Sequence, residues 1–352
     1  MFVKRGGMPE KLASRLVPGA RILVVRLDSI GDCVLSAGFF IGLRALFPAA
    51  HITGVFQEET APLYETSGLF DEILRASGGN GPELSPPYDL AICPRWDIDH
   101  WGALELIQRS GAPLLVGFER AGVEVFTHAL RTPGARHEVL KNRDLLMFLG
   151  APAEPPPPRL FIPDAAREAA WRLPCRLSLG RYAVLGISAR SANRIWPIES
   201  FLPVVDALSA RFGLRSIVIG GADAQANGHW LEDMRPDSVT SPAGQLDVMG
   251  SAALIAEARI FIGMDSGPMH LAAASGVPVV EISCHPLNGR DDHDNAPQRF
   301  GPFATPSRVL QPSRARLLCS DGCDQLDISH CITLVTPAEV IEAVGSLLDE
   351  TL

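Results

Sequence analysis

Apolar and polar positions alternate along the chain in two blocks, and each block reads as strands interleaved with helices. In the first, residues 21–27 form a run rich in Ile, Leu and Val that ends at a Gly-Asp turn. That is the pattern of a strand buried on both faces. Apolar residues at helical spacing follow over 33–47 and stop at Pro48. Residues 51–56, 72–74, 88–93 and 114–117 read as further strands, and 61–67 and 101–110 as helices. In the second block the strands are 182–187, 215–220, 259–263 and 277–282. The helices are 198–212, 249–258, 269–275 and a closing amphipathic helix over 337–348. Strands alternating with helices predict parallel βαβ units.

Between the blocks lies Ala151-Pro-Ala-Glu-Pro-Pro-Pro-Pro-Arg159, the strongest break in the pattern. A proline run is stiff and extended and cannot sit in a helix interior. The expected organisation is an α/β chain of two Rossmann-like domains facing a central cleft. It has a tail over 1–18, a first domain over 19–150 and a linker over 151–163. A second domain over 164–335 and a C-terminal helix over 336–352 complete it. In such sheets ligands bind beyond the carboxyl ends of the strands.

At 352 residues the chain is long enough for two domains, and its hydrophobic share of 47 % suits large buried cores. It contains no apolar run long enough to span a bilayer, and residues 1–7 lack the apolar stretch of a secretion signal. These features predict a cytoplasmic enzyme. The formal charge of −9 divides into −2 over residues 1–160 and −7 over the remainder. Neither block is a basic platform for nucleic acid, so local groups must hold any anionic ligand.

Residues 259–278 carry the densest chemistry. A strand ends near Gly263. Asp265 and Ser266 are suited to cap a helix, Gly267 lets a ligand approach the backbone, and Pro268 fits a first helical turn. The helix N-terminus that follows favours an anion such as a diphosphate, and His270 falls in its first turn. A second loop, residues 186–197, also follows a strand. Ser188 and Ala189 can offer donors there, and Arg190 and Arg194 can pair with phosphate. In the first block, the turn Leu27-Asp-Ser-Ile-Gly-Asp32 places Asp32 at the next helix start. Asp32 is either a cap or a base for a ligand hydroxyl, and Asp28 is the competing carboxylate.

Cys33, Cys93, Cys175 and Cys284 stand apart and read as buried reduced thiols. Cys319, Cys323 and Cys331, with His330 adjacent, form a cluster whose spacing fits no standard zinc pattern. A structural thiol cluster is the expectation, with a metal site as the alternative. Residues 288–295 form a polar loop after the last parallel strand of the series, and Arg299 beyond it is a further candidate for phosphate.

The ordered set Arg26-Leu-Asp-Ser-Ile-Gly-Asp32, Tyr88-Asp89, Arg194-Ile-Trp-Pro197, Gly220-Gly221 and Asp265-Ser-Gly-Pro-Met-His270 resembles glycosyltransferase family 9. This is the family of the ADP-heptose:lipopolysaccharide heptosyltransferases. The resemblance implies a GT-B fold with the acceptor on the first domain and the donor on the second. It also implies inverting transfer without a metal ion or other cofactor, with ADP-heptose as co-substrate. Asp32 falls on the general base. Arg194 falls on a diphosphate-binding lysine, Ser188 and Ala189 on diphosphate contacts, and Asp265, Ser266, Gly267, Pro268 and His270 on the donor loop. Asp223 or Gln225 stands near where an acid contacts ribose. Arg95, Asp97 and His100 are candidates for the acceptor, a glycan or glycolipid such as lipopolysaccharide core. Peripheral contact with the inner membrane face is then expected, and no nucleic-acid partner. A non-hydrolysing nucleotide-sugar epimerase is the rival enzyme class. It is disfavoured because residues 270–274 lack paired acids. An inactive donor-binding relative is the non-enzymatic rival.

Overall fold

The computed structural model describes residues 12–77, 81–96, 101–152, 154–172, 181–316, 319 and 328–351. The chain separates into two compact units, Met1–Phe161 and Ile162–Leu352. In the first, the order is β1 (Arg21–Arg26), α1 (Ile30–Leu35), α2 (Ala37–Leu46), β2 (His51–Gln57), β3 (Glu72–Ala76), β4 (Leu90–Ile92), α3 (Ala103–Arg109), β5 (Leu114–Phe118), β6 (His128–Leu130) and α4 (Glu138–Leu149). In the second it is α5 (Asp164–Trp171), β7 (Tyr182–Gly186), α6 (Phe201–Phe212), β8 (Arg215–Ile219), α7 (Ala222–Met234), β9 (Val239–Thr240), α8 (Val248–Ala256), β10 (Ile260–Met264), α9 (Gly267–Ala274), β11 (Val279–Ile282), α10 (Pro297–Phe300), β12 (Ser307–Leu310) and α11 (Pro337–Glu350).

Each unit is built on one parallel sheet. The strand orders are β3-β2-β1-β4-β5-β6 and β12-β11-β10-β7-β8-β9. Both are the doubly wound order, in which the winding reverses between the first and fourth strands. That reversal lies between β1 and β4 in one unit and between β7 and β10 in the other. Loops diverge there and open a crevice beyond the strand ends. The central strands are buried on both faces, as β1 and β10 show, which explains their continuous apolar runs. Tyr88 and Asp89 serve this sheet. Tyr88 is buried, and Asp89 accepts the backbone N–H of Arg21 at 2.8 Å, tying β4 to β1.

Several elements differ from the pattern read off the sequence. The helix expected over 33–47 is two helices, α1 and α2, meeting at Ser36, whose hydroxyl donates to the Asp32 carbonyl at 2.9 Å. The helix expected over 61–67 is only a 3-10 turn, Ala61–Leu63. Its neighbour Tyr64 packs with Phe40, Phe56 and Phe70 in an aromatic cluster. The first series does not close at β5, since β6 and α4 follow. In α4, Lys141 and Glu138 are buried and paired at 2.9 Å, with the ammonium 3.3 Å from the Trp96 ring centroid. Charged residues on a buried helix face hide the apolar stripe. The polar loop after β11 does not follow the last strand either, because β12 pairs with β11.

Pro155 and Pro156 of the proline run lie against α2, where Cβ atoms added at Gly42 and Gly38 would meet them. At the other end of the chain, α11 starts with a complete capping box between Thr336 and Glu339. Replacing Thr336 with alanine is expected to cost about 1 kcal/mol, read as a lowered midpoint in urea unfolding with an unchanged slope.

Candidate active site

Site residues gather at the two points where winding reverses. In the first unit, Asp28 and Asp32 follow β1 and Arg95 follows β4. Arg26 organises them. Its Nε pairs with Asp28 at 2.9 Å, its Nη2 with Asp32 at 3.6 Å, and its Nη1 donates to the Pro94 carbonyl at 2.5 Å. Arg95 pairs with the other oxygen of Asp28. Asp28 is thereby held between two guanidinium groups, and its side chain is only 5 % exposed. Asp32 is different. Ser29 donates to its Oδ2 at 2.6 Å, and its side chain stays 28 % exposed. Of the two carboxylates, only Asp32 is both oriented and open to a ligand. Arg95, a candidate for the acceptor, is buried and engaged by Asp28. Asp97 and His100 lie outside the described residues. Cys33, next to Asp32, is buried. Burial pushes its thiol up to about 12, against the opposing charge of Arg26, which makes it a packing residue and not a nucleophile.

In the second unit, β7 and β10 approach closely where Gly186, the last residue of β7, pairs with Gly263 of β10. A Cβ at Gly263 would meet the Gly186 carbonyl oxygen at 2.5 Å, and one at Gly186 would meet the Phe261 ring at 2.6 Å. The loop after β7 carries half-buried Ser188 and Ala189, exposed Arg190, and a 3-10 turn, Ala192–Arg194. Two contacts fix that turn. Ser329 donates to the carbonyls of Ala192 and Ile195 at 3.1 and 2.5 Å, and buried Trp196 donates to the Val335 carbonyl at 3.0 Å.

Beyond β10, Asp265 sits between two partners. Arg194 Nη1 approaches its Oδ2 at 3.4 Å, and His270 Nε2 its Oδ1 at 3.3 Å. Burial pushes the Asp265 carboxyl up. The His270 hydrogen bond and the Arg194 and His270 charges outweigh this and hold it below the usual range. Ser266 occupies the N-cap of α9 but does not cap it. Its hydroxyl donates back to the Met264 carbonyl at 3.2 Å. No side chain of the cap residue therefore covers the helix start, where Gly267 and Pro268 open the first turn. Arg194 Nε and His270 Nδ1 are buried without a hydrogen-bond partner.

Other candidates resolve differently. Arg299 is fully buried, pairs with Asp294 at 2.7 Å and donates to the Asp292 carbonyl at 3.0 Å. It ties its own loop together and is not available to a phosphate. Asp223, in the first turn of α7, is exposed. Cys33, Cys93 and Cys284 are buried free thiols, and Cys175 and Cys323 lie outside the described residues. Cys319, His330 and Cys331 place one ligand atom each within 4.8 Å of one another. Two thiols and an imidazole fit a zinc or iron ion in donor chemistry. The Cys331 sulfur also has protein partners, accepting from Arg316 N at 3.3 Å and lying 3.1 Å from His330 Nδ1. Metal analysis of freshly purified protein separates a thiol cluster from a metal site. Glu281, on β11, is a buried acid that the apolar reading of that strand passed over. A lone acid inside a fully buried strand is the signal that marks it.

Two doubly wound units, each with polar groups at its winding reversal, are the architecture of the GT-B fold. The family model described as glycosyltransferase family 9 (heptosyltransferase) matches residues 95–283, more than half of the chain. Lipopolysaccharide heptosyltransferase 3 of Escherichia coli is 30 % identical over 287 residues, covering 75 % of this chain and 82 % of that protein. The chain belongs to glycosyltransferase family 9. Its fold matches that of a glycosyl transferase family 9 protein from Veillonella parvula DSM 2008, with a TM-score of 0.79 at 20 % identity over 95 % of this chain and 99 % of that one. It also matches E. coli ADP-heptose lps heptosyltransferase II, with a TM-score of 0.70 at 18 % identity over 94 % and 99 %. The family match begins at residue 95, so Asp32 lies outside the matched span.

Proposed function

We propose that this glycosyltransferase moves a heptose from ADP-heptose to a hydroxyl of a lipopolysaccharide-core glycan, with inversion and without a metal ion. The observation that carries the reading is the Arg194–Asp265–His270 chain, closed by buried His270, beside the uncapped start of α9. Asp265 aims Arg194, and Arg194 and the helix N-terminus supply positive charge for a departing diphosphate. Ser188 and the Ala189 N–H add donors from the neighbouring loop. Asp32 takes the proton from the acceptor hydroxyl as that oxygen attacks the anomeric carbon and the bond to the diphosphate breaks. Ser29 and Arg26 hold its carboxylate in place for this. The acceptor reading follows the name of the E. coli relative. No helix among the described residues is long and apolar enough to cross a membrane. A glycolipid acceptor would bring the enzyme to the inner membrane face peripherally.

The test is a thermal-shift panel of ADP, UDP, GDP and dTDP, followed by ADP-heptose. ADP at about 100 times its Kd is expected to add about 2.7 kcal/mol of stability, with UDP and GDP adding little. Stabilisation by UDP or GDP alone would overturn the ADP assignment.

A further inference from the structure

One buried acid in the C-terminal unit has no part in the transfer chemistry above. Glu281 lies on a central strand, 1 % exposed, and its Oε2 has no hydrogen-bond partner. In register it stands beside Gly263 of β10, which stands beside Gly186 of β7. Partners across a parallel pair point to the same face. On its β10 side, therefore, the position in register with Glu281 carries no side chain, while Val309 of β12 flanks its other side. Asp265 lies two residues beyond Gly263, and the charges of both Asp265 and Arg194 act on Glu281. With Arg194 Nε and His270 Nδ1, three buried polar atoms around Asp265 lack partners.

Charge decides what Glu281 can do there. An ionised Glu281 would set two carboxylates against one guanidinium and compete for Arg194. Burial drives the Glu281 carboxyl well above its usual range, and the negative charge of Asp265 and the neighbouring Cys284 add to this, while Arg194 opposes it. The groups acting on it are thus Asp265 beyond β10, Arg194 from the loop after β7, and Cys284 just after β11. His270 of α9 is bonded to Asp265.

We propose that Glu281 is a positioning residue of the donor site, kept as an uncharged carboxylic acid so that Arg194 remains available to the donor's diphosphate. Its ionisation weakens donor binding as pH rises. The inference rests on the reading that Arg194 and Asp265 hold that diphosphate.

The experiment is calorimetric titration of ADP, with UDP and GDP in parallel, into wild type, Glu281→Gln and Arg194→Ala. Wild type is expected to lose about fivefold or more in ADP affinity as the pH is raised from mildly acidic to mildly alkaline. Glu281→Gln, an uncharged isostere, is expected to match wild type within about twofold at the lower pH and to lose less than about twofold across the interval. Parallel pH profiles for the two proteins would overturn the proposal. So would binding by Glu281→Gln more than about tenfold weaker at the lower pH, because a charged carboxylate would then be needed.

Thermal unfolding adds a second reading that does not depend on the ligand. A carboxyl whose folded pKa is raised contributes stability that is fully present below its unfolded value and lost as pH rises through the folded one. The melting temperature of Glu281→Gln should therefore rise relative to wild type with increasing pH, and a constant difference counts against the proposal. Should Arg194→Ala bind all three nucleotides as wild type does, the donor-site reading itself fails, whatever Glu281 does.

Discussion

Replacing Asp32 with alanine is expected to lower kcat for heptose transfer by about 10³-fold while leaving ADP affinity within about twofold, since a positioned general base contributes about 10²- to 10⁴-fold. The geometry supports a selective loss. Asp32 belongs to the first unit, and the Arg194–Asp265–His270 chain belongs to the second. Arg26 would lose one partner but would keep Asp28 and the Pro94 carbonyl, so no buried charge is stranded and the fold should survive. Asp32→Asn preserves the shape and the Ser29 contact yet removes the basic oxygen, and should be as inactive as the alanine variant. The measurement is initial rate with ADP-heptose and truncated lipopolysaccharide core, alongside ADP titration. Wild-type turnover in either variant would remove Asp32 from the mechanism.

Replacing Arg194 with alanine is expected to lower kcat/KM by about 10²- to 10³-fold, the usual cost of deleting one group that stabilises developing charge. The loss should appear in ADP binding as well, which sets it apart from the Asp32 variants. Removing the guanidinium takes one partner from Asp265, a carboxylate of 12 % exposure that keeps His270. Some loss of stability therefore accompanies the loss of activity and should be read separately by thermal unfolding. Arg194→Lys keeps the charge, and a lysine is what the family resemblance implies at this position. It should recover most of the transfer rate but not the two-pronged geometry of arginine. An Arg194→Ala enzyme with unchanged kcat/KM would show that the diphosphate is held elsewhere.

Local signals were enough to mark much of the candidate donor loop. The strand before Asp265, the Gly-Pro helix start and the small residues after it each have a local cause, and all lie within twenty residues. The same holds for β1 and the Asp32 turn. Pairing was harder to read. Asp28 and Asp32 look equivalent in the sequence, four positions apart, and Arg95 looks free. Only the fold brings Arg95 from the end of β4 onto Asp28, which closes Asp28 and leaves Asp32 open. Arg299 looked like a phosphate ligand and is instead sealed against Asp294. Ser266 looked like a cap and turned its hydroxyl to Met264. In each case a polar side chain had several local options, and packing chose among them.

By itself the sequence determined the two alternating blocks, the parallel βαβ class and the loops that hold the candidate site residues. These follow from hydrophobic period and turn residues, which act over a few positions. Tertiary structure decided which charges meet. It supplied α4, with Lys141 and Glu138 paired inside, and it set Glu281 in register with Gly263, two residues before Asp265. Burial and ion pairing depend on residues tens of positions apart brought together by the sheet. In a low-dielectric interior those neighbours, not the residue type, determine whether an acid is a base, an anchor or a neutral group.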